Sequence, residues 1–359
     1  MMNRVLSLLC GLLLTAGCAS QTSSGKLIGA DLANLGGTPG ESLGGAAVPV
    51  QTQRLADYYL YDIVWGNGQF VTVGSGSLNQ TVVLTSPDGG RWSRVSVGRS
   101  QGPLGLSTGE TGVLYGIGWN GSRFVAVGER LLTSTDGSNW MVTGTFPACA
   151  FTRIAANGSM FVAVGGYYGR GCIATSADGL TWTDRTDAIE SNNAVLSGVI
   201  WTGSTFVALG TAGLGRFGVA SVFLTSRDGV SWTRQLTTNE ALIDVAWNGT
   251  FFVAVGGIPN QRSGAIYTST DGKTWTQGKH KVSYPFRSVL WSGSQFVVTG
   301  LEGTIFTSPD GRLWTERTSG TTRDLLHSAW NNTRFVVVGR GTILSSTDGV
   351  AWQSADETN

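Results

Sequence analysis

Ser269-Thr270-Asp271-Gly272-Lys273-Thr274-Trp275 is one of seven copies of a single phrase, Ser-x-Asp-Gly-x-x-Trp, in a chain of 359 residues. Its aspartates are Asp88, Asp136, Asp178, Asp228, Asp271, Asp310 and Asp348, spaced 48, 42, 50, 43, 39 and 38 residues apart. That period is the length of one four-stranded blade of a β-propeller. Within the phrase, Asp can accept hydrogen bonds from main-chain N–H groups of its own turn. The following Gly takes a positive φ without a Cβ clash, and Trp lays a large apolar plate over the hairpin.

A second phrase precedes each copy, as in Leu242-Ile-Asp-Val-Ala-Trp247-Asn-Gly-Thr-Phe-Phe252-Val-Ala-Val-Gly256, and it recurs around Phe70, Phe124, Phe161, Phe206, Phe296 and Phe335. Pairs such as Asn67-Gly68 and Asn120-Gly121 between its Trp and Phe are strong hairpin signals. Each unit therefore reads as strand a ending in Trp, a tight turn, strand b, strand c ending in Thr-Ser, and strand d opening at the second Trp. All thirteen tryptophans fall in these positions, seven in the Asp-Gly turns and six at the end of strand a, where the third repeat has Ala156. None is left over for a ligand. The expected fold is an all-β, seven-bladed propeller over residues 52–359, with blades near 58–98, 112–145, 150–186, 195–237, 241–279, 285–319 and 324–356. Both end repeats are complete in chain order, so the ring closes either by side-chain packing or by Val48 to Leu55 adding an edge strand.

Arg4, an apolar run from Val5 to Leu14 and Thr15-Ala16-Gly17-Cys18 form an export signal over residues 1–17. The run is too short to span a bilayer. Its end resembles the lipobox of bacterial lipoproteins, which implies lipid attachment at Cys18. Ala19 and Ser20, without Asp, resemble lipoproteins sorted to an outer membrane. Residues 18–51 are rich in Gly, Ser, Thr and Ala, and read as a flexible tether. With Cys10 removed and Cys18 lipidated, Cys149 and Cys172 remain in an oxidising compartment, where a bridge between them is favoured over two free thiols. Charged residues make up 13% of the chain and the formal net charge is +1. A nucleic-acid role would show a basic stripe instead. Only His280 and His327 are present, so no His-rich metal site is expected, and no cofactor motif occurs.

The seven turns resemble the Asp-box, or BNR, hairpins of sialidases and related propellers, although every copy here sets Gly directly after Asp where the family form has a residue between. The resemblance implies a sialidase-like propeller architecture. Sialidase chemistry would need an arginine cluster, a Tyr nucleophile with a Glu partner, and an early Phe/Tyr-Arg-Ile-Pro motif. Phe151-Thr-Arg153-Ile154 is the nearest string; it has an inserted Thr and lacks the Pro, so no catalytic role is carried over, and Glu110, Glu129, Glu240 and Glu302 are placed by no motif.

Antiparallel order puts the short a–b and c–d turns on one rim and the b–c and d–a loops on the other. The latter hold the length variation, at 75–80, 96–112, 166–171, 186–195, 211–221, 257–264 and 277–285. Variable loops on a rigid scaffold are where binding residues concentrate, so this rim is the expected binding face. Three residues before the end of strand a stand Asp62, Gly116, Arg153, Gly198, Asp244, Ser288 and His327, with Tyr61 and Arg287 as chain neighbours. Around a channel mouth these side chains could orient a polar or anionic ligand, do acid–base work, or simply pair with one another. Tyr167, Tyr168, Arg170, Arg216, Phe217, Arg262 and Tyr284 are secondary loop candidates. Two function classes stay open. One is a non-enzymatic, monomeric envelope lipoprotein that binds a protein or glycan, which includes a resemblance to propeller assembly factors; the other is a sialidase-like glycoside hydrolase at the channel mouth.

Overall fold

The repeat phrase becomes structure through a division of labour between its two apolar stretches. In the computed structural model, which describes residues 54–97, 111–144, 149–189, 194–213, 219–238, 240–258, 263–278 and 282–357, the first blade runs a (Tyr59–Gly66), b (Gln69–Ser75), c (Thr81–Ser86) and d (Arg91–Arg94). Six further four-stranded antiparallel sheets follow, giving seven blades. Strand b is apolar at nearly every position because both of its faces are covered, as in any sheet sandwiched between layers. Phe70 faces the last blade, and Val71 and Val73 face the second.

The core is accordingly divided into seven slabs, one between each pair of neighbouring sheets. A lone blade would leave both apolar faces wet, which is why repeats of this kind stack.

Closure uses both ends of the chain. Tyr58, Leu60 and Trp92 of blade 1 share a slab with Val336, Ile343 and Ala355 of blade 7. Beyond Ala355, Asp356–Glu357 pair in parallel with Arg91–Trp92, adding a fifth strand to the outer edge of blade 1. Val97, just past blade 1, makes the same parallel contact with Trp140 of blade 2. The ring is thus locked by a crossing already used between blades 1 and 2. Residues 48–53, the sequence's other candidate for closure, lie outside the described residues, as do Cys18, the export signal and the tether.

The Asp-Gly turns form an identical lattice in every blade. Asp Oδ1 accepts the Ser hydroxyl at 2.9–3.1 Å in all seven. It also accepts two backbone N–H groups further round the turn, such as Val230 and Ser231 on Asp228. Each turn Trp donates its Nε1–H to the carbonyl of the turn Gly, at 2.8–3.3 Å. Gly137 sits at φ 77°, and a Cβ there would lie 2.6 Å from the Gln69 amide of the preceding blade. The turn therefore also carries an interblade contact.

Candidate functional site

Strand a is the innermost of each blade, so one of its edges has no sheet neighbour, and backbone groups there need other partners. Its sequence shows an anomaly: apolar residues stand three apart, as in Leu60 and Ile63 or Leu242 and Val245, where a flat strand repeats every two. The structure resolves this as a β-bulge in the same place in all seven blades, for example between Leu60 and Asp62. The bulge is matched across the ladder by the Gly four residues after the Phe of strand b. A Cβ on Gly74 would run into the Tyr59 carbonyl, and Gly128, Gly165, Gly210, Gly256, Gly300 and Gly339 stand in equivalent spots. Bulges re-aim side chains, and here they turn Asp62, Arg153, Asp244, Ser288 and His327 into one collar around the axis.

The collar stitches neighbouring innermost strands together. Asp62 Oδ1 accepts the N–H of Ile63 at 2.8 Å, and its Oδ2 accepts that of Ile117, in blade 2, at 2.9 Å. Asp244 repeats the arrangement four blades on, with Val245 at 2.9 Å and Val289, in blade 6, at 2.8 Å. Where a carbonyl needs a donor the collar supplies one. Arg153 Nη1 donates to the Tyr115 and Thr152 carbonyls, and Ser197 Oγ donates to Ile243 O. Ser288 Oγ and Ser328 Oγ are 3.1 Å apart.

Charge within the collar is unevenly matched. His327 Nδ1 lies 2.8 Å from Asp62 Oδ1, a contact that is ionic when the imidazole is protonated. Its Nε2 lies 3.9 Å from Asp244 Oδ2. Burial alone would push Asp62 up, but His327, Arg153 and the Ile117 N–H together hold its carboxyl below the ordinary range. For Asp244 burial prevails and its carboxyl is pushed up. Arg287, on the bulge, is depressed by burial with only Asp324 opposing, and its buried Nε has no hydrogen-bond partner.

Below the collar lies a cavity of about 340 Å³ whose walls include Val64, Ile200, Trp201, Trp247, Leu290 and Trp291. All six stand between the collar and the a–b turns. The space that Asp62, Arg153, Asp244 and His327 line thus extends toward the rim of short turns, and not toward the loop rim, where the sequence places the channel mouth. Among the described residues no group of three or more His, Cys, Asp or Glu side chains has the arrangement of a metal site.

On the loop rim, Tyr167 and Tyr168 are 54% and 73% exposed at the tip of the b–c hairpin of blade 3, their rings 4.0 Å apart. A Cys149–Cys172 disulfide ties the base of that hairpin to the start of strand a, Phe151–Ala156. Tyr59 packs under the Arg340 guanidinium, 4.8 Å from its ring centroid, where blade 7 meets blade 1. Tyr284 lines a separate groove of about 990 Å³ with Glu302, Phe306, Arg317 and Arg323. Arg216, Phe217 and Arg262 lie outside the described residues. The bulge residues Thr152 and Ser197 carry part of the collar's bonding; no motif marks them, and only the three-residue apolar spacing points to them.

No family model matches the chain, and no curated protein matches it. Among solved structures the chain is similar to "YCF48 bound to D1 peptide", with TM-score 0.59 and 16% identity, covering 86% of this chain and 94% of that one. It is also similar to YCF48 from Cyanidioschyzon merolae, with TM-score 0.57 and 17% identity, covering 80% of this chain and 95% of that one. At such identities the likeness is one of fold: a propeller scaffold built like that of YCF48.

Proposed function

We propose that this chain is a non-enzymatic binding propeller, anchored to the cell envelope through a lipid on Cys18, that holds a protein partner on its b–c and d–a loop rim. The observation that carries the reading is the contrast between the two rims. The short-turn rim repeats one hydrogen-bonded lattice seven times, whereas the loop rim varies and carries the exposed Tyr167–Tyr168 pair on a disulfide-braced hairpin. Tyr is a favoured anchor at protein interfaces because it offers a large rigid surface with a polar tip. The structural likeness to a propeller whose solved complex holds a peptide supports the same class of function.

A glycoside hydrolase has less support. The two buried carboxylates of the collar already accept two backbone N–H bonds each, and Arg153 donates to carbonyls of the scaffold. Groups so engaged serve the ring first.

The test is site-specific photocrosslinking in the native envelope, with the crosslinker at Tyr168 on the loop rim or at Leu313 in a c–d turn. A protein adduct from Tyr168 and none from Leu313 is the expected result. Capture only from Leu313, or only of glycan from Tyr168, would overturn the protein-binding reading of this rim. For the anchor, Cys18→Ser is expected to shift the protein from the membrane to the soluble fraction; unchanged partitioning would remove the lipid.

A further inference from the structure

The cavity on the short-turn side of the collar is not used by a loop-rim partner, and its chemistry differs from that rim's. Its walls mix polar and apolar surface and include Trp201, Trp247 and Trp291, supplied by three consecutive blades and each braced on the Phe of its own strand b. Its floor carries charge. Of the two floor carboxylates, Asp62 has an imidazole nitrogen at 2.8 Å, whereas the nearest imidazole nitrogen to Asp244 is at 3.9 Å. Among the described residues no Lys or Arg nitrogen comes within 4.0 Å of Asp244. Arg153, the guanidinium of the collar, directs Nη1 at the Tyr115 and Thr152 carbonyls instead. Asp244 is thus a buried carboxylate that accepts two N–H groups, whose sole basic neighbour within 4.0 Å among the described residues is the His327 imidazole at 3.9 Å, and it lines an open space.

We infer that this cavity receives a primary ammonium group on a slender apolar stem, with Asp244 as counter-ion and Trp201, Trp247 and Trp291 as walls. The depth suits such a ligand. Asp244 and Trp247 are three residues apart on one strand, about 10 Å at the usual rise, so a stretched four-carbon stem reaches the floor while its attachment point stays near the rim. Indole walls suit the charge as well as the stem, because a cation beside an indole gains attraction from the ring quadrupole. A carboxylate ligand would meet two like charges on the floor, whose basic groups, Arg153 and His327, are already directed at the Tyr115 and Thr152 carbonyls and at Asp62. A neutral alcohol would fill the walls and leave Asp244 without its cation. The same ammonium chemistry is offered by a free alkylamine and by a lysine side chain of a protein.

The full chain is titrated by calorimetry, with tryptophan fluorescence in parallel, using n-butylammonium, 1-butanol, butyrate and an acetylated, amidated Gly-Gly-Lys-Gly-Gly peptide. The expected result is binding of an ammonium ligand at least tenfold tighter than butanol, with no binding of butyrate. Binding of n-butylammonium alone assigns the site to small amines, and tighter binding of the peptide assigns it to a lysine of a partner; both support the site. Asp244→Asn, whose amide oxygen can still accept the Val289 N–H, is expected to lose at least tenfold in ammonium affinity. If that variant does not fold by circular dichroism, Leu290→Phe, which fills the wall and leaves Asp244 in place, is expected to abolish binding of both ammonium ligands. Butanol binding as tightly as butylammonium, unchanged ammonium affinity in the folded variant, or no binding of either ammonium ligand overturns the inference.

Discussion

Asp62 and Ile117 lie in different blades, yet the Asp62 carboxylate accepts the Ile117 N–H at 2.9 Å and so joins two innermost strands that share no ladder. Removing the carboxylate leaves that N–H, the Ile63 N–H and the His327 imidazole without their partner in a buried place. Breaking a buried charged pair from one side costs about 3–5 kcal/mol. Asp244→Ala loses two N–H bonds but no close ion pair, which points to a smaller loss of about 1–3 kcal/mol. Urea denaturation is expected to rank Asp62→Ala below Asp244→Ala, and both below the parent; the reverse order would contradict the collar's division of charge.

Acid should weaken the ring through its turns. All seven turn aspartates are held below the ordinary range, six of them chiefly by backbone N–H groups and Asp136 first by the Asn139 side-chain amide, with Asp178, Asp228 and Asp271 at about 2. A carboxyl depressed on folding contributes stability above its unfolded value, about 4, and loses it as pH falls through the folded value. Asp62 acts with the turns, and Asp244, raised by burial, acts against them. Stability is therefore expected to fall between about pH 4 and pH 2, and Asp178→Asn should flatten that slope. Denaturation midpoints at stepped pH check this, and a midpoint that rises on acidification over that range would refute it.

Two glycines with the same backbone conformation separate strain from packing. Gly68 and Gly137 sit at φ 75° and 77°, but a Cβ on Gly68 meets nothing within 4 Å whereas one on Gly137 lies 2.6 Å from Gln69. Both Ala variants pay a positive-φ cost of about 1 kcal/mol. Gly137→Ala must also push aside the Gln69 amide and so lose its bond to the Asp136 carbonyl across the seam between blades 1 and 2, a further ~0.5–1.5 kcal/mol. Pairing it with Gln69→Ala is expected to restore the difference, as read from thermal midpoints in a double-mutant cycle; additive losses would mean that the seam contact carries no energy.

The blade count was legible in the sequence because the Asp-Gly turns and the strand-a tryptophans are local signals, each completed within a few residues. The collar was half legible. Counting back from Trp65 or Trp247 finds Asp62 and Asp244, but not what they bond, since Ile117 and Val289 lie 55 and 45 residues away. The bulge left a trace in the spacing of Leu60 and Ile63, an interruption of the two-residue period that needs the ladder partner Gly74 to be interpreted. The direction in which the cavity opens depends on which side of the collar the strands leave space. That is a property of seven strands together and of no single repeat.

The last strand makes the closure testable. Asp356–Glu357 pair with Arg91–Trp92, and Ala355 is buried in the slab between blades 7 and 1 while its N–H bonds Ile343 O at 2.9 Å. Ending the chain at Ser354 removes these bonds and one buried methyl group, together worth about 2 kcal/mol. The slab of Tyr58, Leu60, Val336 and Ile343 remains, so the ring is expected to stay folded with a lower midpoint. Loss of order should be confined to the seam, because among the described residues of the deleted stretch none belongs to the other six slabs. Hydrogen exchange is the discriminating measurement: the amide of Trp92 should exchange faster in the shortened chain, while that of Arg91, bonded to Asp88 Oδ1, and those of the Phe206–Gly213 strand do not change. Equal protection at Trp92 in both chains would mean that side-chain packing alone closes the ring.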